Sequence, residues 1–399
     1  MARIGSFLIL TTIKKHKHTI INQININNSQ TTMLHSYLHR IALACLAALT
    51  ISSCSDDPDP DPDPTPVTVT KGAYILCAGT YDGNNATLDY YDWTSGTISS
   101  KVFAAANGRA IGNNANSMLI YGDKMYIAVD QSAIVEVTDL NGKSLKTIAF
   151  AAEDGTPENP RELAADGDYV YVTLYDGYVA RINTTTLTAD AKIAVGKNPE
   201  GICALAGKLY VANSGGYDPA FDNTLSVIDP ASFTVTGTIT VAVNPVALQK
   251  DNSGNLYVLS YGNYYDVPNT LQRVDTATGN VSTITTGDYV MYASAGDKLY
   301  VYIAKQENWV VTQASIKIYD PATATFSASG FIADADVPAN VYSLSADPIT
   351  GNLYVATSDY TNTGDMHIFN SDGVAIATLA LSGINPRGAY FVTEETTAQ

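Results

Sequence analysis

Along most of the chain, apolar residues alternate with polar ones in short runs, and a turn signal ends each run. Residues 244–279, NPVALQKDNSGNLYVLSYGNYYDVPNTLQRVDTATG, show the arrangement. Strand-like pieces at 246–248, 256–259 and 270–275 are separated by Asp251-Asn252-Ser253-Gly254, by a long Tyr-, Gly- and Asn-rich loop, and by Thr276-Ala277-Thr278-Gly279. A fourth piece follows at 280–285. Strands this short, with turn residues this regular, predict an up-and-down antiparallel sheet.

The unit recurs. A Tyr-centred apolar run appears at Tyr74, Tyr126, Tyr171, Tyr210, Tyr257, Tyr300 and Tyr354. An acid or amide ends the next strand at Asp92, Asp139, Asn183, Asp229, Asp275, Asp320 and Asn370. Both markers give the same count with a period in the mid-forties, which predicts an all-β, seven-bladed propeller of four-stranded antiparallel blades. Each Asp or Asn precedes a turn that its side chain can cap, so these carboxylates read as structural. The last run, Asn385-Pro386-Arg387-Gly388-Ala389-Tyr390-Phe391-Val392, has the form of a first strand with nothing after it. The first unit begins with its second strand at Gly72. The C-terminal strand is therefore expected to complete the N-terminal blade and remove the open edge. The propeller is expected over residues 72–392, with a short tail at 393–399.

Charge separates the N-terminus from this body. Residues 1–53 hold five basic residues and no acid, so residues 54–399 hold 17 of the 22 basic residues and all 39 acids, a net charge of −22. A body so acidic lacks the basic footprint of a nucleic-acid partner. Met33, Arg40, the apolar run 41–49 and the small residues before Cys54 have the plan of a secretory signal, with residues 1–32 read as upstream sequence. Ile51-Ser52-Ser53-Cys54 resembles a bacterial lipobox, which would make Cys54 the lipidated first mature residue; an ordinary signal cleaved nearby is the alternative. The alternating Asp-Pro run within 54–71 reads as a stiff, hydrated tether. Acids directly after the cysteine also resemble a surface-export signal, and the expected location is the outer membrane, facing the exterior. Cys77 and Cys203 lie in apolar runs of distant units and are expected as buried free thiols.

Function is expected on the face that carries the loops after each second strand and the approaches to each innermost strand, because long loops on a rigid scaffold concentrate there. The candidate ligand-binding residues are Tyr81, Tyr175, Tyr217, Tyr261, Tyr264, Trp309 and Tyr360 from the loops, with Arg109, Asn113, Arg161, Tyr342 and Arg387 from the approaches. Aromatic rings offer rigid contact area with a polar edge; some of these rings would instead pack loop on loop. The arginines, scarce in this chain, would either orient a ligand's oxygens or pair with local acids. No catalytic residue stands out. Four of the five histidines precede Cys54, and only His367 lies in the body. No glycine-rich phosphate loop, nucleophile elbow or paired-cysteine metal motif is present. No cofactor is expected; calcium held by carboxylates at the channel mouth is left open.

The units GKLYVANSGGYDPAFDNTLSVIDPASFTVTGTITVAVNPVAL and GNLYVLSYGN…LQRVDTATG resemble the YncE-like seven-bladed propellers. Asn-Asn-Ala-x-Leu-x-Tyr-Tyr-Asp at 84–92, Asn107-Gly108-Arg109 followed by Ser117-Met118, and the ending Asn-Pro-x-x-Ala-Tyr-Phe are similar to lipid-anchored surface propellers of Gram-negative gut anaerobes. That group includes the BtuG-type cobalamin-capture lipoproteins. The resemblance implies a non-enzymatic receptor that binds a corrinoid and passes it to a TonB-dependent outer-membrane transporter. A protein- or glycan-binding adhesion module, and a propeller lactonase or lyase, are the rival readings.

Overall fold

The computed structural model describes residues 66–217, 221–308 and 310–397. The expected leader, Cys54 and Trp309 lie outside the described residues. Seven four-stranded antiparallel sheets account for the strands. Their first strands are Ala115–Tyr121, Pro160–Asp166, Pro199–Leu205, Pro245–Lys250, Tyr289–Ala295, Val341–Ala346 and, from the C-terminus, Pro386–Thr397. Each contacts the first strands of both neighbouring sheets, which closes a ring around a central channel. Blade 1 is the sheet that holds both chain ends; the others are numbered along the chain.

Burial within a blade follows strand position. In blade 4 the second strand, Lys208–Asn213, is buried along nearly its whole length, whereas the fourth, Thr234–Thr240, is mostly exposed. The Tyr markers sit on the second strands and fill the space between blades, each ring contributing on the order of 2 kcal/mol by burial. Some of their hydroxyls find a partner there. Tyr300 of blade 6 donates to the Gly351 carbonyl of blade 7 at 2.8 Å, and Tyr74 of blade 1 donates to Leu140 of blade 2. The Asp/Asn markers cap their own turns: the Asp92 carboxylate accepts from the Ser95 N–H at 2.7 Å, Asp275 from Ala277 at 3.0 Å and Asn370 from Val374 at 2.9 Å. Donated backbone hydrogen bonds, with side-chain hydroxyls, hold Asp92 and Asp320 below the usual carboxylate range.

The C-terminal strand completes blade 1, in register from Gly72↔Val392 to Ile75↔Ala389. The ladder also runs past both expected boundaries. The strand Pro66–Cys77 starts six residues before Gly72, and Pro66–Thr70 pairs with Thr393–Thr397. Part of the expected tether and most of the expected tail are thus one two-stranded ribbon. It is pinned by Lys71–Glu394 at 2.9 Å and by Thr70 donating to the Asp347 carboxylate at 2.8 Å. Between blades 1 and 2 the chain forms a short helix, Val102–Asn107, whose Phe103 is fully buried. Cys77 and Cys203 are buried free thiols, and burial pushes them up to about 12 and about 11.

Candidate functional site

Six of the seven innermost strands start with the same irregularity. The register slips by one residue directly after the first pair, at Pro386, Ala115, Pro160, Pro199, Pro245 and Val341; blade 6 pairs straight through. A bulge leaves a residue unpaired and re-aims its side chain. The extra residues include Arg387, Asn116, Arg161, Glu200 and Tyr342. Before five of these six strands stands an asparagine in left-handed backbone; Asn159, before Pro160, is not among the positive-φ residues. Asn114, Asn198, Asn244, Asn340 and Asn385 all have positive φ, between 48° and 63°, a conformation that asparagine tolerates. Their carbonyls accept from the first residue after a second strand, as in Ser214→Asn198 at 3.1 Å and Tyr261→Asn244 at 2.9 Å.

The bulge side chains join into an arc. The Arg387 guanidinium donates to the Asn116 carbonyl at 2.9 Å and to its side-chain oxygen at 2.6 Å. Asn116 donates to the Arg161 carbonyl at 2.7 Å. Arg161 binds Glu200 through two hydrogen bonds, 2.7 and 3.0 Å, and Asp130 at 2.8 Å. Its guanidinium carbon also lies 5.1 Å from the Tyr175 ring centroid. Burial works against the charge on Arg161, but the Glu200 and Asp130 carboxylates leave its pKa raised. Arg387 has no carboxylate within ion-pair distance among the described residues, and its pKa is raised by the Tyr342 hydroxyl against the opposing effect of burial.

Aromatic rings form a second cluster on the same face. Tyr217 stacks on Tyr264 with centroids 6.3 Å apart and planes at 24°. Phe221 and Tyr261 approach Tyr264 at 5.8 and 6.5 Å. Tyr342 meets Tyr360 edge-on at 5.7 Å. Tyr289 is near Tyr261, Tyr342 and Tyr360, and burial raises its pKa. Tyr217, Tyr264 and Tyr360 still expose 85, 43 and 66 % of their surface. Tyr264 and Tyr360 also carry φ values of 63° and 64°. A bulky side chain in the left-handed region costs roughly 1–2 kcal/mol, and such strain gathers at ligand clamps and active sites.

Of the sequence candidates, Arg161, Tyr175, Tyr217, Tyr261, Tyr264, Tyr342, Tyr360 and Arg387 are brought together. Tyr81 and Asn113 share the face but sit at the seam of blades 1 and 2, where Asn113 donates to Asp82 at 3.3 Å. Arg109 departs from expectation. It follows the helix, which holds the chain at the outer rim until the innermost strand begins at Ala115. Its guanidinium pairs with Glu136 at 2.9 Å and lies over Phe103. Of the two readings of the arginines, Arg109 and Arg161 follow the pairing one, whereas Arg387 donates to Asn116 instead of an acid.

Sequence reasoning missed the channel below the mouth. A cavity of about 310 Å³ is lined there by Glu162, Gln249, Ser294, Ser345, Arg387 and Tyr390 among others. Burial pushes the Glu162 carboxyl up to about 7, against the pull of the Arg387 charge and a Ser117 hydrogen bond. The available signal was a polar residue on an innermost strand where its neighbours are small or apolar: Glu162 in PRELAAD and Gln249 in PVALQKD. No group of three or more His, Cys, Asp or Glu side chains that could hold a metal occurs among the described residues. His367 lies on Asp365–Phe369, the third strand of blade 7, beside Thr378.

Solved structures share this architecture. A quinonprotein alcohol dehydrogenase-like protein of Bacteroides thetaiotaomicron is 16% identical, with a TM-score of 0.60 over 81% of this chain and 78% of that one. A Bacteroides fragilis protein named only provisionally as a 6-phosphogluconolactonase is 15% identical, with a TM-score of 0.58 over 81% and 98%. Hydrazine synthase of Kuenenia stuttgartiensis is 16% identical, with a TM-score of 0.56 over 69% and 93%. At these identities the likeness is one of fold. No functionally curated protein matches the sequence. The profile of a domain of unknown function, DUF5074, matches residues 71–391, and with that match spanning all seven blades the chain belongs to the DUF5074 family.

Proposed function

We propose that this protein is a non-enzymatic receptor that captures a bulky nutrient on the aromatic face of its propeller, with a corrinoid as the first candidate. The supporting observation is the convergence of Tyr217, Tyr261, Tyr264, Tyr342 and Tyr360 on one face, two of them held in left-handed backbone. Rigid rings with exposed edges suit a large ligand with an apolar body and polar arms. Arg387, whose charge no carboxylate neutralises directly, supplies a donor beside them. In this reading Cys54 anchors the protein in the outer membrane, and a TonB-dependent transporter accepts the cargo. Isothermal titration with cobalamin and cobinamide tests the corrinoid assignment: saturable heat at micromolar protein supports it, and silence with both ligands removes it.

One observation favours a second reading, hydrolysis in the channel. A cavity-lining carboxyl with a pKa near neutrality is suited to general acid–base work. Lactone turnover that disappears in Glu162→Gln would support that reading over the receptor.

A further inference from the structure

The cavity beneath the mouth is built differently from the mouth itself. Its wall offers an acceptor, Glu162, and donors on Gln249, Ser345 and Arg387. Several of these groups have capacity left. The Gln249 amide nitrogen reaches its partner, the Tyr292 carbonyl, only at 3.5 Å. The Ser345 hydroxyl accepts from the Ala389 N–H at 2.9 Å, and no acceptor for its own proton occurs among the described residues. Two guanidinium nitrogens of Arg387, Nε and Nη2, are committed to Asn116.

Charge narrows the choice of occupant. Above about pH 7, where Glu162 is ionised, an anion entering this space would be repelled by Glu162 and a cation by Arg387, so either ion offsets its one attraction with one repulsion. A neutral group that both donates and accepts avoids both penalties. A primary carboxamide carries two donor hydrogens and an acceptor oxygen with two lone pairs. It can therefore donate to Glu162 while accepting from Gln249 or Arg387; a hydroxyl has one hydrogen to give. The volume, about 310 Å³, lies at the lower end of the range of small-molecule pockets. That admits a short side arm and excludes a bulky ligand's body.

We propose that the central cavity is a carboxamide subsite, which takes a primary-amide arm through Glu162, Gln249 and Arg387 while the ligand's body rests on the tyrosine cluster. The source of the arm rests on the receptor reading; the amide chemistry does not. The test uses the full chain and saturation-transfer NMR with four probes of similar size: propionamide, propionate, propylammonium and propan-1-ol. Propionamide is expected to bind in preference to the other three, and its dissociation constant is expected to rise at least tenfold in Glu162→Gln and in Gln249→Leu, each checked to melt cooperatively and no lower than the wild type. No propionamide binding to the wild type overturns the proposal. So does equal binding of propan-1-ol or either ion, or unchanged affinity in both variants. A wild type that binds cobinamide but not propionamide overturns the subsite and leaves the receptor reading standing; propionamide binding without corrinoid binding supports the subsite and removes the corrinoid.

Discussion

Replacing Glu162 with Gln should stabilise the protein, and only above a definite pH. The Glu162 carboxyl is raised from 4.5 to about 7 because burial in the channel wall penalises its charged form, although part of its surface stays accessible from the cavity. In the folded state it keeps its proton up to about pH 7; in the unfolded chain it loses it near 4.5. Between those values the folded state binds more protons, so stability falls as pH rises through the window. The loss is complete above about pH 7. At 1.36 kcal/mol per pH unit, the interval corresponds to about 3 kcal/mol. Glutamine keeps the shape and never ionises, so the variant should lack this slope. Urea unfolding of wild type and variant from pH 5 to 8 isolates it, because every other carboxylate cancels in the difference. The variant's advantage should be small at pH 5 and grow by about 2–3 kcal/mol by pH 8. A difference that stays flat across the range, or a variant less stable at pH 8, would refute the reasoning that the channel desolvates this group.

Truncating Arg161 to Met leaves Glu200 and Asp130 facing each other without their cation, and calorimetry should show a loss of about 3–5 kcal/mol. In Gly201→Ala, the new methyl would lie 2.9 Å from the Leu248 nitrogen and 3.0 Å from the Val246 carbonyl on the next blade's innermost strand; the backbone cannot yield easily, and a cost of about 1–3 kcal/mol is expected in denaturant melts. Tyr264→Ala removes the ring that Tyr217, Phe221 and Tyr261 share, and titration calorimetry should find corrinoid binding at least roughly tenfold weaker with melting little changed. Cys77 and Cys203 should resist a thiol reagent at pH 8 in the native protein and react on unfolding, since burial holds both thiols protonated; rapid native labelling would show that the blades open locally.

The blade count was legible because two features repeat for local reasons. A Tyr suits the gap between sheets because its ring fills it, even where the hydroxyl finds no partner among the described residues, as at Tyr126 and Tyr354, and an Asp or Asn is needed where a turn lacks a cap. The closure at Pro386–Thr397 followed from a first strand without successors. Its extension to Pro66 did not, because Thr68 and Val69 carry the same composition whether paired or free. Arg109 and Arg161 looked equivalent in the sequence. What separates them is the helix at Val102–Asn107, six residues too short to announce itself by periodicity. The bulges were invisible for a related reason: register is a property of two strands, and neither strand alone shows which of its residues is left unpaired. Glu162 and Gln249 passed unnoticed because a polar residue on a strand ordinarily faces solvent, and only the closed ring turns that face into a cavity.

Whether the tyrosine face binds a ligand is settled by a calorimetric titration of cobinamide into the wild type and a Tyr264→Ala/Tyr360→Ala double variant. One saturable site is expected in the wild type, with a dissociation constant in the micromolar range or below, lost in the double variant while the melting temperature stays near native. Full binding by the double variant, or no heat from the natively folded wild type, would contradict the receptor reading.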